Sequence, residues 1–118
     1  MAIIPGISSP VGTPRGSIWW VDLDPIRGSE IRKTRPAVVL TADALNRIRR
    51  TVVVAPLSTG PMPRPPIVVA VPSAGANSVA VCDQIRAVDR SRLIRAGGVL
   101  SRDDLRAVEE GVRSVLSL

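Results

Sequence analysis

GSEIRKTRPAVVL, residues 28–40, is the stretch from which the rest of the chain can be laid out. Its first half is polar and carries Glu30, Arg32, Lys33, Thr34 and Arg35; from Pro36 onward it is apolar. Proline fixes its own φ and has no N–H, so it is tolerated at the first residue of a strand. It also pushes the residue before it into extended geometry. The run Ala37-Val-Val-Leu40 shows no alternation, the pattern of a strand buried on both faces. A strand over residues 36–41 is therefore expected, with Arg35 held in extended backbone at its lip. A carboxylate at Glu30 and a guanidinium at Arg35 can form a phosphate-handling site there. A solvated salt bridge in the loop accounts for the same two charges.

Strands are expected on both sides of this one. Upstream, residues 17–23 (SIWWVDL) read as the first strand. The adjacent Trp19 and Trp20 must face opposite sides, one filling the core and the other lying on a second face such as a subunit interface. Downstream, residues 42–50 form a connector with one helical turn. Its Arg47, Arg49 and Arg50 read as a solvated cluster, with a phosphate contact as the alternative. Residues 51–57 are the third strand. If it pairs antiparallel with the second, one register sets Leu40 opposite Val53 and Val38 opposite Ala55, and brings Arg35 beside Ser58. That register puts two hydroxyls, Ser58 and Thr59, at the lip carrying Arg35. Taken alone, Ser-Thr-Gly after a strand is a turn.

The remainder reads as a Pro-rich loop over 60–66, a strand over 67–71, a turn over 72–77 and a strand over 78–88. That last strand carries Asp83, Gln84 and Arg86, polar residues that mark either a solvent face or a binding face. A helical turn at 89–93 and a strand at 94–100 follow. Ser101 starts a helix, with Asp104 at capping-box spacing. Leu105, Val108, Val112, Val115 and Leu116 form its apolar stripe, and Gly111 weakens it. The fold class is mainly β with a C-terminal helix. Residues 1–14, rich in Pro, Gly and Ser, are expected to be a flexible tail, and 15–118 one domain.

Composition narrows the function. The 118 residues carry a net charge of +6, from 15 Arg and one Lys against ten acids, which favours a polyanionic partner, nucleic acid first. There is no His, so the usual general acid–base and the commonest metal ligand are missing. A single cysteine leaves no intrachain disulfide and no thiolate metal site, and Cys82 reads as an inert core thiol. No metal and no cofactor are called for. No run approaches membrane-spanning length and the N-terminus lacks a secretory pattern, so a cytoplasmic protein is expected.

The run RGSIWWVDLDP (15–25), then Gly28-Ser-Glu, then RPAVVL (35–40), resembles the MazF/PemK family of toxins. The resemblance continues through APLST (55–59) and DQIR (83–86) to the C-terminal helix. Each motif alone is weak; their order and spacing make the match specific. The resemblance implies an SH3-like, plasmid-maintenance-toxin β-barrel acting as a homodimer. It implies a sequence-specific, metal-independent endoribonuclease on single-stranded RNA (an mRNA interferase), restrained by a small acidic, MazE-like antitoxin. It assigns catalysis to Arg35, to Ser58 with Thr59 as neighbouring candidate, and to Glu30. It sets Gln84 near the RNA groove, with Arg32, Lys33, Thr34 and Arg86 as further RNA contacts. The alternative is a toxin of the same fold that inhibits a protein target such as gyrase. Such relatives depend on a Trp near the C-terminus, whereas this chain ends Leu116-Ser-Leu.

Overall fold

The computed structural model describes residues 12–23 and 34–118. Glu30, Arg32 and Lys33 lie outside the described residues, as does most of the expected tail. The elements are β1 (Ser17–Asp22), β2 (Thr34–Val39), α1 (Asp43–Asn46), β3 (Thr51–Ser58), β4 (Val68–Ala70), β5 (Val79–Val81), β6 (Arg86–Asp89), β7 (Leu93–Val99) and α2 (Arg102–Leu116). Seven antiparallel strands run in the order β4-β5-β3-β2-β1-β7, with β6 also paired to β3. "Barrel" describes this sheet only loosely, because β4 and β7 end the path and no described pairing closes it.

β3 is the hub. One edge pairs with β2; the other pairs with β6 along its first half and with β5 at its end. The expected register is observed: Val38 faces Ala55, and the Leu40 amide donates to the Val53 carbonyl at 2.8 Å. β2 starts earlier than proline alone indicates. Arg35 pairs with Val21 and Thr34 with Asp22, so Arg35 lies inside the strand.

The unalternating valine runs are explained by two cores, one on each face of the sheet. Ile18, Val38, Ala55 and Leu57 join one cluster, which α2 covers with Val108 and the half-buried Leu105, Ala107, Val112 and Val115. Val21, Ala37, Val39, Val52, Val54 and Val88 form the other, against which Trp19 packs. Adjacent residues such as Val38 and Val39 are thus both fully buried, on opposite faces.

The strand expected over 78–88 is broken in two. Moving three residues along β3, from Leu57 to Val54, moves the partner six residues, from Ala80 to Arg86. The surplus is taken up around a 3-10 turn at Cys82–Gln84, which turns Cys82 into the core and Asp83 and Gln84 outward. Periodicity reads this stretch as continuous because its apolar residues fit a strand until the chain has to change register.

α2 begins as its sequence indicates, with Ser101 Oγ accepting from the Asp104 amide at 3.1 Å. The Asp104 carboxylate serves another element: it accepts from the Ser73 amide at 2.7 Å, while the Ser101 amide donates to Ser73 Oγ at 3.0 Å. This cap therefore ties α2 to the 3-10 segment Pro72–Ala74. Arg15 ties the start of β1 to three elements. Its amide donates to Asp43 Oδ1 (2.7 Å), its Nε to the Leu40 carbonyl (2.9 Å), and its Nη2 pairs with Glu109 (2.5 Å).

Candidate active site

The strand register decides which side chains meet. Trp20 and Pro36 are cross-strand partners, as are Ile18 and Val38, so Ile18, Trp20 and Pro36 share one face of the sheet. Together with Leu57 they line a cavity of about 320 Å³ whose remaining walls include Arg35, Ser58, Thr59, Ser78 and Gly97. The expected convergence of Arg35, Ser58 and Thr59 is therefore observed.

Each polar group has a structural reason to be where it is. Arg35 is held by its strand pairing to Val21, yet its side chain is exposed, and none of the described residues takes its guanidinium. Ser58 ends β3, is half-buried, and its Oγ accepts from the Gly60 amide at 3.3 Å. That contact occupies a lone pair and leaves the hydroxyl hydrogen free to be donated. Thr59 is exposed at the start of the Pro-rich loop. A second cavity of about 180 Å³, between that loop and residues 76–79, shares Thr59 and Ser78 with the first. The two cavities are neighbours, separated by those shared residues.

Trp20 takes a place that the sequence left open between core and interface. Its ring helps form the cavity, with the Arg95 guanidinium of its cross-strand partner 5.1 Å from the ring centroid. A Cβ on Gly97 would lie 3.4 Å from Trp20 Nε1 and 3.3 Å from Ile18 Cγ2, so the glycine keeps the space beside the indole open. The adjacent Trp pair was the signal for this residue. Ser78 carried no signal beyond its position after a turn.

Residues 14–116 match the family described as PemK-like, MazF-like toxin of type II toxin–antitoxin system. The chain belongs to that family. Its relatives include endoribonuclease MazF9 of Mycobacterium tuberculosis, 35% identical over 113 residues, which span 88% of this chain and 96% of the relative. Endoribonuclease PemK of Escherichia coli is 48% identical over a shorter stretch of 46 residues, 39% of this chain and 35% of that one. Among solved structures, a MazE–MazF crystal structure from Deinococcus radiodurans superposes with a TM-score of 0.77 at 28% identity, covering 90% of this chain and 97% of that one.

Not every residue expected at the site of this PemK/MazF-like toxin lines the cavity. Thr34 opens β2, exposed and paired with Asp22. Gln84 is exposed on the 3-10 turn. Arg86 reaches across to the Leu23 carbonyl at 3.4 Å, next in sequence to residues 24–33, which include Glu30, Arg32 and Lys33. Cys82 is no nucleophile: burial first, and the neighbouring Asp83 charge second, push its thiol up to about 11. Among the described residues no three His, Cys, Asp or Glu side chains converge, and no helix is long and apolar enough to cross a membrane.

Proposed function

We propose that this toxin is a sequence-specific, metal-independent endoribonuclease that cuts single-stranded RNA through the substrate's own 2′-OH. The observation that carries the reading is that Arg35, exposed and unpaired among the described residues, lines the same cavity as Ser58 and Thr59. The apolar floor with Trp20 is a surface on which an unpaired base can stack, a role aromatic faces fill in single-strand binding.

In the proposed reaction the 2′-oxygen attacks the adjacent phosphorus in line, the P–O5′ bond breaks, and a 2′,3′-cyclic phosphate and a 5′-OH result. The Glu30 carboxylate accepts the 2′-OH proton. Water supplies the proton to the leaving 5′-oxygen, since arginine stays protonated. Arg35 stabilises charge on the phosphoryl oxygens, and Ser58 or Thr59 donates a hydrogen bond to the same group. The nucleophile belongs to the substrate and the charge is met by Arg35, so no step calls for a metal. The neighbouring cavity beside the Pro-rich loop offers room for a base flanking the cut, a basis for sequence preference.

The working assembly we propose is a homodimer in the cytoplasm, restrained by a small acidic antitoxin of the MazE kind. Among the described residues β7 pairs only with β1, and its Ile94 and Val99 are 52% and 66% exposed, an apolar edge suited to a second copy. The test of the reaction is product chemistry. Cleavage in EDTA should yield cyclic phosphate and 5′-OH ends, and RNA with a 2′-deoxy residue at the cut should bind uncut. Dependence on Mg²⁺, or cleavage of the 2′-deoxy substrate, would overturn the mechanism.

A further inference from the structure

Arginines that the cavity does not use gather at the far end of β3. Thr51 opens that strand and Ser58 closes it at the cavity, a separation of about 23 Å at about 3.3 Å per residue. At the Thr51 end, Arg47, Arg49 and Arg50 come from the connector after α1, and Arg90 from the 3-10 segment after β6, whose Arg92 instead donates to the Asp22 carbonyl at 3.0 Å.

These two segments form one built corner. The Arg90 amide donates to the Arg50 carbonyl at 2.8 Å, Arg90 Nη1 donates to the Arg49 carbonyl at 3.1 Å, and Thr51 pairs with Asp89. The connector is fastened from beneath by the buried Asn46, whose Nδ2 donates to the Thr41 carbonyl at 2.8 Å. Thr41 Oγ1 in turn accepts from the Val53 amide at 2.6 Å. These bonds hold the backbone of the two segments to each other and to β3.

Within residues 47–50 and 89–91, the sequence holds one carboxylate, Asp89, and four arginines. Asp89 accepts from the Ser91 amide and lies 3.7 Å from Arg50. Asp43, one turn before Arg47, is engaged by the Arg15 amide. Arg47 and Arg49 are exposed, and none of the described residues takes their guanidinium groups. Ile48, between them in sequence, is an apolar side chain 76% exposed.

We infer that this corner is a second RNA contact, a site for the phosphate backbone several nucleotides from the scissile bond. Arg47 and Arg49 are its phosphate ligands, and Ile48 packs on sugar or base. The inference rests on the endoribonuclease reading above and extends it from one cleft to a longer substrate. Guanidinium forks match phosphate oxygens, and such contacts position a nucleic acid without reading its sequence. Binding made far from the reacting atoms is equal in ground and transition states, so it lowers KM and leaves kcat alone.

The test compares wild type with the Arg47→Ser/Arg49→Ser double variant on a long RNA and on a minimal oligonucleotide carrying the same cleavage site. On the long RNA the variant should show a several-fold higher KM at unchanged kcat. Its binding should also lose salt dependence, with the log–log slope flatter by about 1.4 for two lost single-strand phosphate contacts. Both proteins should cut the minimal oligonucleotide alike. Unchanged KM and salt slope on the long RNA, with the minimal substrate still cut, would overturn the exosite alone. If the variant kept RNA binding but lost affinity for polyglutamate, the corner would be a protein-docking surface and the inference wrong. If wild type cut neither RNA, the endoribonuclease reading would fall, and the exosite with it.

Discussion

Replacing Gly111 by alanine should destabilise this protein, although alanine in a helix interior ordinarily adds about 1 kcal/mol over glycine. The reversal comes from the surroundings of α2. A Cβ at position 111 would lie 2.7 Å from Cys82 Sγ, 2.8 Å from the Pro66 carbonyl oxygen and 3.1 Å from Val69 Cγ2. Favourable carbon contacts begin near about 3.5 Å. The carbonyl is backbone and the thiol fully buried, so neither can swing aside; α2 must lift from β4 and the Cys82 turn. Overpacking of this kind costs about 3 kcal/mol at the upper end of its usual range. Less the helix gain of about 1 kcal/mol, the net loss is about 2 kcal/mol. At about 4 °C per kcal/mol for a domain of this size, Tm should fall by about 8 °C. Urea and thermal unfolding, followed by the fluorescence of Trp19 and Trp20 at fixed protein concentration, measure it. Because Sγ is one of the two hard contacts, the loss should shrink on a Cys82→Ala background, with a coupling of at least about 0.5 kcal/mol. A Gly111→Ala protein as stable as wild type, or no coupling to Cys82, would refute the packing described for α2.

Three further outcomes are expected. With its folded thiol raised from 9.0 to about 11, Cys82 keeps its proton in the folded state while the unfolded chain loses it. Stability should therefore fall as pH rises through that window, by about 1 kcal/mol between about pH 9 and 10, and Cys82→Ala should flatten the trend in urea midpoints. The absence of Tyr and His, and the single Lys, leave few other groups titrating there. Asp104→Ala removes the acceptor of the Ser73 amide and should cost about 1–3 kcal/mol. That exceeds the roughly 1 kcal/mol expected for Ser101→Ala in the same thermal assay. Ser58→Ala should lower single-turnover cleavage more than Thr59→Ala, since Ser58 is fixed at the end of β3 and Thr59 is exposed beyond it.

Much of the site was legible because it depends on strand register, and register is set by which residues are apolar. Two unalternating runs, 37–40 and 52–55, can be buried on both faces only if they pair in the core, and the 42–50 connector then sets which residues oppose. Arg35, Ser58 and Thr59 follow at one lip. The break at Cys82–Gln84 was not legible, because local apolarity does not record a shift between two halves of the same partner strand. For the same reason Gln84 and Arg86 were expected on one strand and lie on a turn and a separate strand. Trp20 was half legible: alternation separates it from Trp19, but only the β7 pairing, with Gly97 and Arg95, turns its face into a cavity wall. Gly111 reads in sequence as a weak point of α2; in three dimensions it marks where the helix comes closest to the Cys82 turn. The second bond of the capping box went elsewhere because a neighbouring amide, that of Ser73, lies closer to hand for Asp104.

The central claim is that Arg35 supplies the charge stabilisation for RNA cleavage at this lip. Its most direct test is the single-turnover rate of Arg35→Ala in EDTA, on an RNA whose cleavage site has been mapped with wild type. Removing one such donor from a preorganised site typically costs about 100- to 1,000-fold. The account predicts a loss of that size with unfolding unchanged, because the side chain is exposed and outside both cores. Cleavage at the wild-type rate by a folded Arg35→Ala protein would contradict it.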